Sequence, residues 1–517
     1  MGNEPNQRRH GRSFLACCVF VFTFSTSALP APPAFENLFP AGGQIGSRVE
    51  TQVSGKGLEK ETPLTWSSDP HRIVMSSDKP KTFFLNIAKE AAPGPCLLRL
   101  FNDDGASPPR IIEAGTLEEG LEKEPNDSLA QAKSGEARMN VTLNGVLEKV
   151  GDVDTFAIRA QKGKRVRFEL HGYALGSPMD PAMRLLSDRG IELAAGHDTS
   201  NLDPRMEYTP SADGLLYVQL FAFAHPPAAD VAFKGSTNHV YRLMVTDEPK
   251  PMTVLSEPGK LSLPASLQGC IGKAAEEDTY SFSAKKGDDL QISVRAQRLG
   301  SPLDATLRME DEAGKTLQQA DDSEKETLDP SLRWKAPKAG EFKLMIADRF
   351  HHGSADHLYE LSIKPFVPSL TASLDTHAYR LEAGKTVEVK VTVKTNGTFA
   401  GKIKSQATQL PLGVTAQSVD VPAKGGEVKL TLKATEQAAK SQAPFAVELT
   451  TSAPDAVATV TASYAIPFTE PRGDLLIMTD THPWLTVLAK KPKQTVPSVR
   501  PVSGAEDKDV MLGKPIQ

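Results

Sequence analysis

The chain is poor in the residues that could hold it together covalently. Of its 517 residues four are cysteine, and two of these, Cys17 and Cys18, sit in an apolar run near the N-terminus. Cys96 and Cys270 lie in strand-like contexts in segments that read as separate domains. A disulfide needs Cα atoms within about 7 Å, so both are expected to be thiols packed as small hydrophobes. Aromatic residues make up 6% of the chain, which leaves the cores to Val, Leu, Ile and Ala. Charge of one sign is also missing: 59 basic residues face 64 acidic ones, which excludes the concentrated basic face of a nucleic-acid binder. Catalytic signatures are absent as well. There is no G-x-S-x-G elbow and no H-E-x-x-H. Gly384-Lys385-Thr386 ends like a phosphate loop, but Tyr379 stands where that loop needs its first glycine. His351 and His352 are adjacent, so an extended chain points them apart, and they read as a solvent loop. The chain is therefore read as not an enzyme.

What is present begins with an export signal. Arg8, Arg9 and Arg12 precede the apolar run Phe14 to Phe24, and small residues follow up to Ala28. This is the layout of a secretory signal peptide over 1–28, which predicts an exported, secreted, periplasmic or cell-surface protein. The run is shorter than the roughly 20 residues needed to span a bilayer, and no later segment qualifies, so no transmembrane span is expected in the mature chain.

The rest reads as strands. Val166, Phe168 and Leu170 alternate with polar residues, as do Leu290, Ile292 and Val294, and as do Val387, Val389, Val391 and Val393. Period-two alternation buries one face of a sheet. One pattern occurs twice. Leu143 to Gly163 corresponds to Leu267 to Gly287, with Asp154-Thr155-Phe156 matched by Asp278-Thr279-Tyr280. Gly176-Ser177-Pro178 corresponds to Gly300-Ser301-Pro302, and Leu202-Asp203-Pro204 to Leu328-Asp329-Pro330. Each copy closes on His-x-Tyr-x-Leu, at His239-Tyr241-Leu243 and His357-Tyr359-Leu361. Such self-similarity marks a repeat. The predicted fold class is all-β: tandem β-sandwich domains, Ig-like and jelly-roll-like, joined by short linkers as beads on a string. The expected domains are an Ig-like one at 36–115, an acidic linker at 116–135, repeat sandwiches at 136–247 and 255–365, an Ig-like domain at 366–468, and a partly disordered tail at 469–517.

The repeated unit resembles the bacterial pre-peptidase C-terminal (PPC) domain. In the first copy the resemblance rests on Glu122-Lys123-Glu124-Pro125-Asn126-Asp127, on Asp152-Val153-Asp154 ahead of Phe156, and on Met179-Asp180-Pro181. The second copy keeps the body but opens on Ser256-Glu257-Pro258-Gly259, without Asn-Asp. The 36–115 segment is similar to IPT/TIG-type Ig-like domains, and the 366–468 segment to Ig-like domains appended to secreted hydrolases. The resemblance to calcium-binding relatives implies an ion held by Glu122, Glu124, Asn126, Asp127, Asp152 and Asp154 in the first copy, since Ca²⁺ takes six to eight oxygen ligands. A solvated acidic linker is the alternative. The function this predicts is a non-enzymatic binding or scaffolding protein that engages an extracellular protein, a polysaccharide or the cell envelope. The alternatives are an accessory subunit of a secreted protease or glycosidase, or an enzyme of unfamiliar type.

Overall fold

The computed structural model describes residues 31–58, 64–69, 73–79, 82–199, 201–225, 227, 229, 232–247, 257–322, 329–397, 399, 401–452, 459–466 and 477–490. The segment 1–28, read as a signal peptide, lies outside them, as do Ser256 and 491–517. The described chain is nearly all strand and turn, the predicted class, and its sheets pair into four sandwich modules.

In the first module the sheet Asn37–Phe39, Arg48–Ser54, Thr82–Ile87, Ile73–Lys79 packs on the sheet Gly42–Gln44, Arg110–Gly115, Gly94–Asn102, Leu64–Ser67. The alternation in Arg48–Ser54 buries Thr51 and Val53, while Arg48, Glu50 and Gln52 face water. Between the sheets lie Leu38, Phe83, Leu85, Leu98, Leu100 and Ile112.

The second and third modules share a strand order. The second pairs Val141–Val146, Val240–Thr246, Val166–His171 and Arg205–Tyr208 in one sheet, and Asp154–Ala160, Gly214–Ala224, Met179–Leu186 and Glu192–Gly196 in the other. In the third, Ala265–Cys270, Leu358–Pro365, Asp289–Arg295 and Ser331–Lys335 form one sheet, and Glu277–Ala284, Gly340–Asp348, Ala305–Asp311 and Thr316–Ala320 the other. The motifs that recur in the sequence take the same structural positions. Gly176 and Gly300 end short 3₁₀ turns at φ +80° and +75°, a conformation open to glycine because it lacks Cβ. Asp203 accepts the backbone N–H groups of Gly172, Tyr173 and Ala174, and Asp329 accepts those of Ala296, Gln297 and Arg298. The leading segments differ. Glu118–Leu121 pairs in parallel with Val141–Val146, whereas Lys260–Leu261 pairs in parallel with Glu277–Ala284, in the opposite sheet.

Two expectations about the boundaries fail. The stretch 116–135, read as a linker, is built into the second module. Glu118–Leu121 extends its sheet, and Ser128 caps a short helix, Leu129–Ala132, whose Ala132 packs with Ala157, Leu186 and Tyr217. Its acidity misled the reading, because two of its carboxylates serve buried donors. The stretch from 469, read as a tail, supplies Met478–Asp480 and Trp484–Leu488 to the fourth module. Trp484–Leu488 pairs with Ala378–Glu382 and Ser441–Pro444, and Trp484, Leu485, Thr486 and Val487 are all buried. A five-residue strand buried on both faces shows no alternation.

The arrangement also departs from beads on a string, since the chain from Pro32 onward forms one compact unit. The first module packs on the second: Asn37 Nδ2 donates to the Thr237 carbonyl at 2.9 Å. There Arg242, 1% exposed, meets Glu119 at 2.8 Å and Glu113 at 3.4 Å, while His171 bonds Glu113 at 2.9 Å. Burial opposes the His171 charge, but hydrogen bonds to Glu113 and Glu169 outweigh it and raise its pKa to about 10. The first module also packs on the fourth, through Arg99, Trp66 and Phe101.

Candidate metal centre

Where the two sheets of the second module meet, Gly145 stands directly across the ladder from Tyr241. A Cβ at Gly145 would lie 2.1 Å from the Tyr241 hydroxyl, so the glycine lets the ring lie over the strand. The hydroxyl thereby reaches the opposite sheet. It sits 2.5 Å from Asp154 Oδ2, at the head of Asp154–Ala160, and 2.9 Å from Glu122 Oε2. Glu122 Oε1 accepts the Val146 backbone N–H at 2.5 Å, and Glu122 N donates to the Asn144 carbonyl. The leading segment is thus tied to both sheets.

Glu122, Glu124 and Asp154 each offer a carboxylate oxygen within 4.8 Å of the others, and they are the one such acidic group among the described residues. Asn126 is held by its backbone, which accepts the Thr155 N–H at 3.0 Å. One terminal atom of its amide lies 3.2 Å from Glu124 Oε1 and 3.1 Å from Asp154 Oδ1. As nitrogen that atom donates to both carboxylates. As oxygen it completes a four-residue oxygen cluster, the donor set a hard cation takes. Asp152 is fully buried. Its Oδ2 accepts the Glu148 N–H at 2.5 Å, while its Oδ1 has no hydrogen-bond partner and lies 3.4 Å from Lys149 Nζ. Asp127 is exposed and stands outside the group.

The electrostatics follow from crowding negative charge in a dry place. Burial, then the neighbouring Glu122 charge, raises the Asp154 pKa to about 10. Glu122 is raised mainly by burial, and Glu124 by burial and by Asp152. Three carboxyls that resist ionisation together can be satisfied by protons or by a cation. The residues present fit calcium: the carboxylate donors are oxygen, one amide can serve either state, and the buried Asp152 lies beside the cluster with its Oδ1 turned to Lys149.

The equivalent place in the third module is built from phenols. Gly269 again faces Tyr359 across the ladder. Tyr359 donates to Asp278 Oδ2 in a short hydrogen bond, and its oxygen lies 2.7 Å from the Tyr280 hydroxyl. Tyr280 replaces Phe156, and its hydroxyl meets Tyr359 as the Glu122 carboxylate meets Tyr241. His351 and His352, read as a solvent loop, are exposed, whereas His357 of the closing motif is buried with its Nδ1 2.9 Å from Ser354 Oγ. Both described cysteines are free thiols.

The sequence reading singled out the acidic opening but missed Tyr241 and Gly145. Both belonged to motifs it had recognised as repeated, and a glycine facing a tyrosine across a ladder was the available signal.

Comparison with known proteins addresses the third module. Residues 276–348 match the bacterial pre-peptidase C-terminal domain. The match lies in the copy with the altered opening, not in the first copy, whose opening carried the resemblance in the sequence. It spans the strands from Glu277 to Asp348, the body of the sandwich, and leaves the opening out. The PPC domain is often found in secreted proteases. Among solved structures the chain is similar to the pre-peptidase C-terminal domain of a collagenase from Bacillus anthracis, at 18% identity and TM-score 0.17, covering 21% of this chain and 98% of that one. It is similar also to the N-terminal four Ig domains of Dscam1 isoform 7.44, at 10% identity and TM-score 0.20, covering 89% and 99%. A third likeness is to the M60 catalytic domain with two CBM51 domains of Clostridium perfringens ZmpB, at 10% identity and TM-score 0.15, covering 87% and 39%. No curated protein matches the chain.

Proposed function

We propose that this chain is an exported, non-enzymatic binding or scaffolding protein whose second module is a PPC-type sandwich closed by calcium. The observation that carries the reading is the Glu122–Glu124–Asp154 cluster with Asn126. It joins a leading segment to both sheets of a sandwich, which is what a structural ion does. Glu122, Glu124, Asn126 and Asp154 would hold the ion, with Asp152 beside them. The second and third modules are then tandem members of one family, one with an ion and one without. The partner class is an extracellular protein or polysaccharide. Titrating calcium into chelator-treated full-length protein, followed by calorimetry, tests the ion. One site per chain is expected, and Glu122→Gln should remove it. Heat of binding that survives in the Glu122→Gln, Asp154→Asn double variant would reject the site. The non-enzymatic part is tested on casein, collagen and common glycans; turnover abolished by a single substitution would reject it.

A further inference from the structure

The first and fourth modules meet around one fully buried cation. Arg99, on Gly94–Asn102, has no solvent exposure. Its Nη1 donates to the Ser107 carbonyl at 3.0 Å and to His377 Nδ1 at 2.9 Å, and its Nη2 to the Tyr464 hydroxyl at 2.7 Å and the His377 carbonyl at 3.4 Å. All four acceptors are neutral. The counter-charge is one step away: Tyr464 donates to Asp480 Oδ2, and Asp480 Oδ1 bonds His482 Nδ1 at 2.8 Å. Around these groups the apolar seam is aromatic. Trp66 of the first module lies 5.9 Å from Trp484 of the fourth, edge to face, and Phe101 lies 4.9 Å from the same ring. Among the described residues Lys440 and Asp103 form a charged pair across the seam, at 3.1 Å and exposed.

An arginine is always a donor, so His377 Nδ1 must carry a lone pair to accept from it. Protonating that nitrogen would set N–H against N–H and place a second cation beside a buried guanidinium. We propose that His377 makes the contact between the first and fourth modules an acid-sensitive latch, closed while the imidazole is neutral and released when it takes a proton.

The groups facing His377 bias it the same way. Burial, then the Arg99 charge, lowers its pKa to about 4. Tyr464 presents a neutral phenol, its ring centroid 6.3 Å away. Asp480 is spent on Tyr464 and His482, and His482, raised by its bond to Asp480, adds positive charge on that side. Asp375, upstream on the same segment, acts on Tyr379. The sign is that of a depressed histidine. The closed state is fully favoured above the unperturbed pKa of 6.5 and loses ground as pH falls toward 4. Between pH 7 and pH 3 the closed-to-open ratio should fall by up to roughly 200-fold.

The chain contains three tryptophans, and Trp334 lies in the third module, so full-length Trp334→Phe protein reports the seam through Trp66 and Trp484 alone. Its emission and the radius of gyration from solution scattering should both change between pH 6.5 and pH 4, with far-UV circular dichroism constant. His377→Gln keeps an acceptor that does not titrate and should stay closed through that range. If it is already open at pH 7.5, His377→Asn takes its place. Asp480→Asn removes the anion that Tyr464 and His482 share and should shift opening toward neutral pH. The same transition in the parent and in the closed histidine variant, or no transition in the parent, overturns the proposal.

Discussion

The second and third modules run the same strand order through sequences that diverge where it matters, at three ladder positions and one hydroxyl. In the second module Asn144, His171 and Arg242 face the first module, and the arginine is buried against Glu119 and Glu113. In the third, Gln268, Arg295 and Glu360 occupy the matching positions and stay at the surface, with Arg295 and Glu360 paired at 2.9 Å. The strand position that carries the Arg242 cation in one module carries the Glu360 anion in the other. Likewise Glu122 in one module and Tyr280 in the other satisfy the bridging tyrosine. A sandwich can thus keep its topology while one copy commits this face to a junction and the other leaves it at the surface and meets the second module elsewhere, through Asp356 and Arg165 at 2.8 Å. What decides is whether a neighbouring module takes the face out of water.

The largest test of that contrast is Arg242→Ala. It leaves the part-buried Glu119 without its cation and Glu113 with His171 alone, and loss of one partner of a buried pair costs about 3–5 kcal/mol. Chemical denaturation of the full chain should show the second-module transition falling by that amount.

Calcium should separate the modules next. An ion that binds only the folded state adds about 2.7 kcal/mol at a hundredfold excess over Kd. Hydrogen exchange in the full chain should slow at Val146 and Thr155 with calcium and stay unchanged at Tyr280. Equal protection in calcium and in chelator would remove the distinction. Without the ion, pH adds a sign. Asp154, raised to about 10 from 3.8, contributes stability that is fully present below 3.8 and lost as pH rises through about 10. Protection at Thr155 in chelator should therefore decline from acid toward alkaline pH, and calcium should flatten the decline.

Tyr280→Phe in the third module removes one buried neutral hydrogen bond, worth about 1 kcal/mol, with no calcium dependence. A calcium response appearing in this variant would show that the phenol had been masking a site. The smallest effect is expected from Glu360→Ala. An exposed pair is worth about 0–1 kcal/mol, so denaturation midpoints should barely move. A loss near that of Arg242→Ala would break the contrast between junction and surface.

Much of this was legible in the chain itself. Alternation at Val166–His171, Asp289–Arg295 and Thr386–Asn396 marked strands because one face of each is wet and the other dry. The acidic opening was visible too, though its role as a strand was not: Glu118–Leu121 has no apolar alternation, and it pairs only because Val141–Val146 offers an open edge.

By itself, then, the sequence determined the β class, the strand spacing of the two copies and the carboxylates that gather at Asp154, because these depend on local periodicity and on residue chemistry. Tertiary structure alone decided that Trp484–Leu488 is core, that Arg242 is buried while Glu360 is not, and that Arg99 meets Tyr464 from 365 residues away. Each of those outcomes depends on which surface another module covers, and no local pattern of apolar and polar residues carries that information.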